Sequence, residues 1–273
     1  MKRAERSVDI VIFRFDRAEL EKALEAAVGR GIPVRALIAH TNRGGEKGLR
    51  KLEARMLAAG VTVSRTADDL PRYHGKMMIV DDELYVCGFN YTKLDIEKSR
   101  SFGIVTADKR LVKEASSLIE ADTNRQPYVP GYDRLVVSPE SSRRVLTEFI
   151  KGAQKQLLIY DEKVTENQIQ RVLVERVKAG VEVRVIGRVE KNLDGVESRK
   201  LPDRRLHVRA MVRDGSDAFV GSQSLRKLEL DGRREVGVIV NDTSIAKQIQ
   251  DVFELDWGGK ASKSQAKEPE AVA

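Results

Sequence analysis

Residues 74–90 read HGKMMIVDDELYVCGFN, and residues 207–223 read HVRAMVRDGSDAFVGSQ. Laid over each other, His74 meets His207, Lys76 meets Arg209, Asp81 meets Asp214, Gly88 meets Gly221 and Asn90 meets Gln223, with every spacing identical. The chain has only 3 histidines, so two of them in one His-x-cation-x4-Asp frame mark an internal repeat. Each copy places apolar runs on both sides of an acidic turn, the pattern of a β-hairpin. On an extended strand a histidine and the cation two residues on share a face. The glycine of Gly-x-Asn or Gly-x-Gln permits close approach of backbone or ligand, and the amide beyond it can donate to an anion.

The repeat extends outward from the two hairpins. Strands are expected at 7–16, 32–40, 61–65 and 101–106, and amphipathic helices at 17–31, 48–60 and 110–122. The proline- and tyrosine-bearing segment TNRQPYVPGYD (123–133) is the best internal boundary. After it the plan restarts, with strands at 134–139, 154–161, 181–187 and 234–240 and helices at 141–153, 166–180 and 244–257. Two α/β halves follow, 1–130 and 131–257, with a polar, disordered tail over 258–273. The first copy has no counterpart of residues 134–154, as if a strand and helix were missing before residue 1; a compact first half and a truncated sequence both fit.

The net charge of +7 favours anionic partners: nucleic acid, anionic headgroups or phosphoesters. The single cysteine, Cys87, excludes a disulfide framework or multi-cysteine zinc site within one chain and reads as a small core residue. No run approaches a membrane span and no signal-peptide core opens the chain, so a soluble, cytoplasmic protein is expected, with peripheral membrane contact left open. Phe253 and Trp257, at helical spacing, read as core anchors. Arg100, Arg234 and the run 198–209 read as surface charge, with a place around a pocket as the alternative. His40 and TNRGG (41–45) read as a loop that either lines a mouth or is simply solvated; the Walker spacing is absent.

Two facing copies would offer two imidazoles, two cations and two amides around one pocket, a set suited to a phosphodiester. Lys76, Arg209, Asn90 and Gln223 would hold the non-bridging oxygens and stabilise the charged transition state. One histidine would attack phosphorus and the other protonate the leaving oxygen. These paired motifs resemble the phospholipase D superfamily, and within it soluble bacterial proteins similar to cardiolipin and phosphatidylserine synthases. The resemblance covers about residues 7–257. It implies two α/β/α sandwich halves related by a pseudo-twofold axis with the site at their interface, a phosphohistidine intermediate, and no metal or other cofactor. It also implies a complete site in one chain. Arg209 and Gln223 depart from the family's lysine and asparagine, and arginine grips phosphate with a different geometry.

The resemblance further implies a group that orients each histidine. The matching positions are Glu235 in the second copy and Ser101 in the first. A carboxylate favours imidazolium and a hydroxyl does not. Pairing within each copy therefore makes His207, with Glu235, the general acid and His74, with Ser101, the nucleophile. Asp81 and Asp214 open the hairpin turns and read as scaffolding. Three functions stay open: a phosphodiesterase or phosphatidyltransferase acting on phospholipid, a metal-independent nuclease, and a silent phosphate-binding module. The few aromatic residues, none interleaved with basic runs, weigh against a stacking groove for single strands.

Overall fold

The computed structural model describes residues 1–41, 46–189 and 193–258. The readings placed on residues 42–45 and 259–273 lie outside them. The first half runs β1 (Val8–Ile12), α1 (Ala18–Gly29), β2 (Val34–Ile38), α2 (Glu46–Ala58), β3 (Thr62–Arg65), β4 (Met77–Val80), β5 (Glu83–Cys87), α3 (Lys93–Lys98), β6 (Ser99–Arg100), β7 (Gly103–Thr106) and α4 (Lys109–Asn124). The second runs β8 (Leu135–Ser138), α5 (Ser142–Lys151), β9 (Gln156–Val164), α6 (Asn167–Lys178), β10 (Glu182–Val189), β11 (Glu197–Arg199), β12 (Arg205–Leu206), β13 (Arg209–Arg213), β14 (Asp217–Gly221), α7 (Lys227–Asp231), β15 (Glu235–Asn241) and α8 (Thr243–Gly258).

The first sheet has the order β3-β2-β1-β4-β5-β7, and the second β11-β10-β9-β13-β14-β15-β8. In each, three parallel strands are continued by three antiparallel ones, so the orders superpose except for β8. Helices α1 and α2 cover the outer face of the first sheet through Leu24, Ala27, Leu49, Leu52 and Met56. Helices α5 and α6 cover the outer face of the second through Leu146, Phe149, Ile150, Val172 and Leu173. Between the sheets, α4 and α8 share one apolar core with both, including Leu118, Ile119, Phe253 and Trp257. The result is a five-layer α/β/α/β/α sandwich, and the near-continuous apolar runs of β1, β9 and β10 follow from burial on both faces.

The two hairpin aspartates have the same task. Asp81 and Asp214 both sit at φ 53°, a left-handed turn conformation. Asp81 accepts from the backbone N–H groups of Glu5, Arg6 and Ser7, and Asp214 from those of Gln154, Lys155 and Gln156. Each carboxylate thus ties its hairpin to the start of the neighbouring parallel strand. Seven residues along an extended strand span about 20 Å, so neither lies near its motif's histidine.

Several local expectations change. The two histidine–cation segments differ: His74 and Lys76 lie on an extended lead-in before β4 and not on the expected strand, whereas Arg209 opens β13. The short α3, α7, β6, β11 and β12 carry no periodic signal, being only two to six residues long. The run 198–209 supplies two of these strands. Cys87 is buried and free. Arg100 and Arg234 are not surface charge: Arg100 forks onto Asp256 at 2.7 Å through both nitrogens, and buried Arg234 pairs with Asp122 and Glu140. Asp122 lies in the last turn of α4 and Asp256 in the last turn of α8, so the two arginines clamp opposite halves in equivalent fashion.

Candidate active site

The motif segments leave their own sheets to pair with the other half. Tyr73 bridges Arg234, with His74 N–H donating to the Arg234 carbonyl at 2.7 Å and Arg234 N–H to that of Arg72 at 2.9 Å. Equivalently, β12 pairs with β6, setting Leu206 against Arg100. Gly88 and Gly221 meet where the halves touch. A Cβ on Gly88 would stand 2.9 Å from the Phe102 carbonyl oxygen and 3.3 Å from that of Gly221. One on Gly221 would stand 2.6 Å from Gly237 Cα. Backbone contact, not ligand contact, requires these glycines.

This exchange overturns the expected pairing. Glu235 follows Arg234 and therefore faces the first copy's histidine: His74 Nδ1 lies 2.7 Å from Glu235 Oε2. Ser101, which follows Arg100, is its counterpart in chain position, and its buried hydroxyl has no hydrogen-bond partner among the described residues. Glu235 thus pairs across the two copies and not within its own, and Ser101 pairs with neither histidine among the described residues. His207 instead meets Asp95: its Nε2 is 3.1 Å from Asp95 Oδ2, and its Nδ1 faces Arg205 Nη2 at 3.2 Å. Asn90 Nδ2 donates to the same Asp95 oxygen at 2.6 Å and touches His207 Nε2 at 3.4 Å.

These partners fix opposite tautomers. Glu235 is fully buried and can only accept when ionised, so His74 carries its proton on Nδ1 and turns its Nε2 lone pair toward Lys76 Nζ, 2.8 Å away. His207 donates from Nε2 to Asp95 and accepts from Arg205 at Nδ1. Burial and then the positive charges of Lys76 and Arg209 hold His74 well below the ordinary histidine range. His74 is therefore neutral despite its carboxylate, whose own pKa burial raises against the pull of Lys76. Burial also lowers His207, but Asp95 opposes it.

Lys76 is fully buried and its Nζ touches both ring nitrogens of His74, at 3.0 Å and 2.8 Å. Burial pushes its pKa down to about 7, helped by Arg209 and Arg72 and opposed by Glu235 and Asp95. The Phe13 ring meets His74 edge-on at 4.5 Å and lies below Arg72 and Lys76. In the second half, Arg209 Nη2 reaches the half-exposed Glu162 at 3.2 Å. Gln223 donates to the Val136 carbonyl at 2.8 Å rather than toward the histidines. Its other terminal atom faces the Gly221 and Gly237 backbone. The structure thus gathers His74, His207, Lys76, Asn90 and Glu235, places Arg209 beside them, and turns Gln223 away.

The motif comparison did not single out Asp95, Arg205, Arg72, Phe13 or Glu162. The residue equivalent to Asp95 in the second copy is Leu228, so the repeat carried no signal for it. Arg72 and Arg205 each stand two residues before a histidine, on the same strand face, and that spacing could have found them.

The family model described as cardiolipin synthase, PLD-like domain, matches residues 1–123 and 146–257. The chain belongs to the phospholipase D-like family. Among curated relatives of this phospholipase D-like protein is the polyphosphate kinase of Klebsiella pneumoniae, 27% identical over 230 residues, which cover 74% of this chain and 33% of that one. The polyphosphate kinase of Escherichia coli K12 is 26% identical over the same span. The chain therefore spans about a third of the length of these relatives. Among solved structures, polyphosphate kinase from Porphyromonas gingivalis superposes with a TM-score of 0.76 at 19% identity, over 92% of this chain and 43% of that one. Phosphatidylserine synthase from Haemophilus influenzae superposes at 0.67 with 11% identity, over 94% and 82%. These likenesses establish the two-half fold. Among the described residues, no helix is long and apolar enough to cross a membrane.

Proposed function

We propose that this chain is a phosphotransferase that cleaves a phosphodiester through a phosphohistidine on His74, with phospholipid as the substrate class. The observation that carries the reading is the pairing of the two histidines: His74 Nδ1 is held by Glu235 with Nε2 against Lys76, a cation that the oxygens of a bound phosphate draw away from the ring, and His207 Nε2 is held by Asp95 beside Asn90. His74 Nε2 forms a bond to phosphorus, while Glu235 holds the Nδ1–H and takes up the growing positive charge. The bond from phosphorus to the leaving oxygen breaks, and that oxygen takes a proton from His207 in its imidazolium form, which becomes neutral imidazole. An incoming water or alcohol then returns a proton to His207 and displaces His74. Lys76 stabilises charge on the non-bridging oxygens. A bound phosphate adds negative charge beside both histidines and raises their pKa, which brings His207 toward its acidic form.

A phosphoanhydride is the second reading. It is favoured by Arg72, whose guanidinium has no ion pair or hydrogen bond among the described residues and lies 5.4 Å from the Phe13 centroid, beside His74. Burial, Arg233 and Arg14 depress its pKa, so it gains from a second anionic group. The similarity to polyphosphate kinases points the same way. The test is hydrolysis of a chromogenic aryl phosphodiester in excess EDTA by wild type, His74→Ala and His207→Ala, followed by phosphatidylglycerol vesicles and tripolyphosphate. EDTA-resistant activity lost in both variants supports the mechanism, and the second panel selects the substrate. Full activity in His74→Ala refutes it.

A further inference from the structure

The wall of the pocket beside Arg209 is built differently from the wall beside His74. In the first half β1 pairs with β4, with Val11 opposite Met77, and in the second β9 pairs with β13, with Tyr160 opposite Ala210. Met77 and Ala210 each stand three residues after their histidine. Phe13 and Glu162, two residues beyond Val11 and Tyr160, therefore occupy equivalent positions. Phe13 is a buried ring against His74, 4.5 Å away. Glu162 is a carboxylate, 48% exposed, whose Oε2 lies 3.2 Å from Arg209 Nη2.

The backbone is shaped to hold this carboxylate in place. β1 runs in unbroken register with β2. β9 and β10 do not: Asp161 pairs with Gly187 and Val164 with Val189, so Glu162 and Lys163 oppose the single residue Arg188. Such a bulge re-aims side chains out of the regular alternation of a strand. Two neighbours fix it. Gly187 sits at φ 149°, and a Cβ there would overlap the Asp161 carbonyl oxygen. The buried Asp161 carboxylate accepts from the N–H groups of Lys163 at 3.0 Å and Leu225 at 2.6 Å, and from the Ser224 hydroxyl. A carboxylate is thus held against a cation that is otherwise suited to a phosphate oxygen.

We propose that Glu162 sets the charge preference of the pocket, favouring a singly charged phosphodiester over a doubly charged phosphate monoester. The inference rests on the phosphodiester reading above and adds the direction of its selectivity. A ligand oxygen that pairs with Arg209 must take the place of Glu162, and the displaced carboxylate stays close and repels it. That repulsion scales with the charge of the ligand. A diester carries one negative charge, whereas a monoester carries about 1.5 to 2 at neutral pH. When water displaces His74, its oxygen bonds to phosphorus, one of its protons goes to His207, and the other is lost as the new monoester ionises. The product is therefore more negative than the substrate, and Glu162 speeds its departure.

The test is calorimetric titration of monobutyl and dibutyl phosphate into wild type and Glu162→Gln at about pH 8 in excess EDTA, with phosphorus NMR confirming that each ligand stays intact. Glutamine keeps the size of a half-exposed side chain, so the fold is retained. Removing the charge is expected to tighten the diester about threefold and the monoester about tenfold, the second factor being close to the square of the first because the ligand charge is nearly doubled. Weaker binding of both ligands overturns the proposal and makes Glu162 a brace that orients Arg209. An unchanged ratio of the two affinities also overturns it, while leaving the phosphodiester reading in place. A wild type and variant that bind neither ligand contradict that reading itself, and the proposal falls with it.

Discussion

Replacing Lys76 by methionine should weaken the enzyme and strengthen the fold, with a pH dependence that identifies the cause. The buried ammonium has its pKa pushed from 10.5 down to about 7. At about 1.4 kcal/mol per tenfold change in proton affinity, holding that charge inside costs about 5 kcal/mol below pH 7. Methionine fills similar space without the charge. Glu235 then loses a nearby cation, and His74 is freed to take a proton beside it, which returns part of the gain. The net expectation is a stabilisation of about 2 kcal/mol at pH 6. Between pH 7 and 10.5 the folded wild type binds fewer protons than the unfolded chain, so its stability rises with pH relative to the variant. The advantage of methionine should therefore shrink steadily over that window. Urea denaturation at pH 6 and at pH 9.5 measures the gap, and turnover should fall by about 100-fold or more. A variant whose stability relative to wild type improves as pH rises would refute the reasoning.

Glu235→Gln should lower kcat by about 10- to 100-fold with little change in KM, because it loosens the His74 tautomer without touching substrate; steady-state kinetics on the chromogenic diester checks this. Arg234→Met leaves Asp122 and Glu140 without their shared cation, so urea denaturation should show a loss of about 3–5 kcal/mol. Arg100→Met should cost less, since Asp256 keeps the Tyr160 hydroxyl at 2.6 Å. Asp81→Ala and Asp214→Ala should each lose about 1–3 kcal/mol, the cost of unsatisfied backbone donors, while kcat per folded molecule stays within about twofold.

The hairpins, the repeat and the layer plan were legible because the motif spacing is identical in both copies and long apolar periods mark the core elements. The site was legible only in part, and the reason is topological. Alignment identifies Glu235 and Ser101 as counterparts, but it says nothing about which copy's histidine each one faces. The crossing follows from Tyr73 pairing with Arg234 and Leu206 with Arg100, a contact between halves that no periodicity encodes. Arg100 and Arg234 were hidden for the same reason, since Asp256 and Asp122, their partners on α8 and α4, belong to the opposite half. Asp95 escaped because the copies differ there, with Leu228 in its place. Gln223 kept an amide in sequence, yet its longer arm reaches the Val136 carbonyl of β8, a strand whose counterpart the described first half does not contain.

The central claim is that His74 carries the phosphoryl group. A single-turnover reaction with a phosphorus-labelled substrate, quenched in base to preserve phosphohistidine and mapped by mass spectrometry, tests it most directly. The account predicts an acid-labile adduct on His74, absent in His74→Ala. An adduct on His207 in the wild type, or steady turnover with no adduct on either histidine, would contradict it.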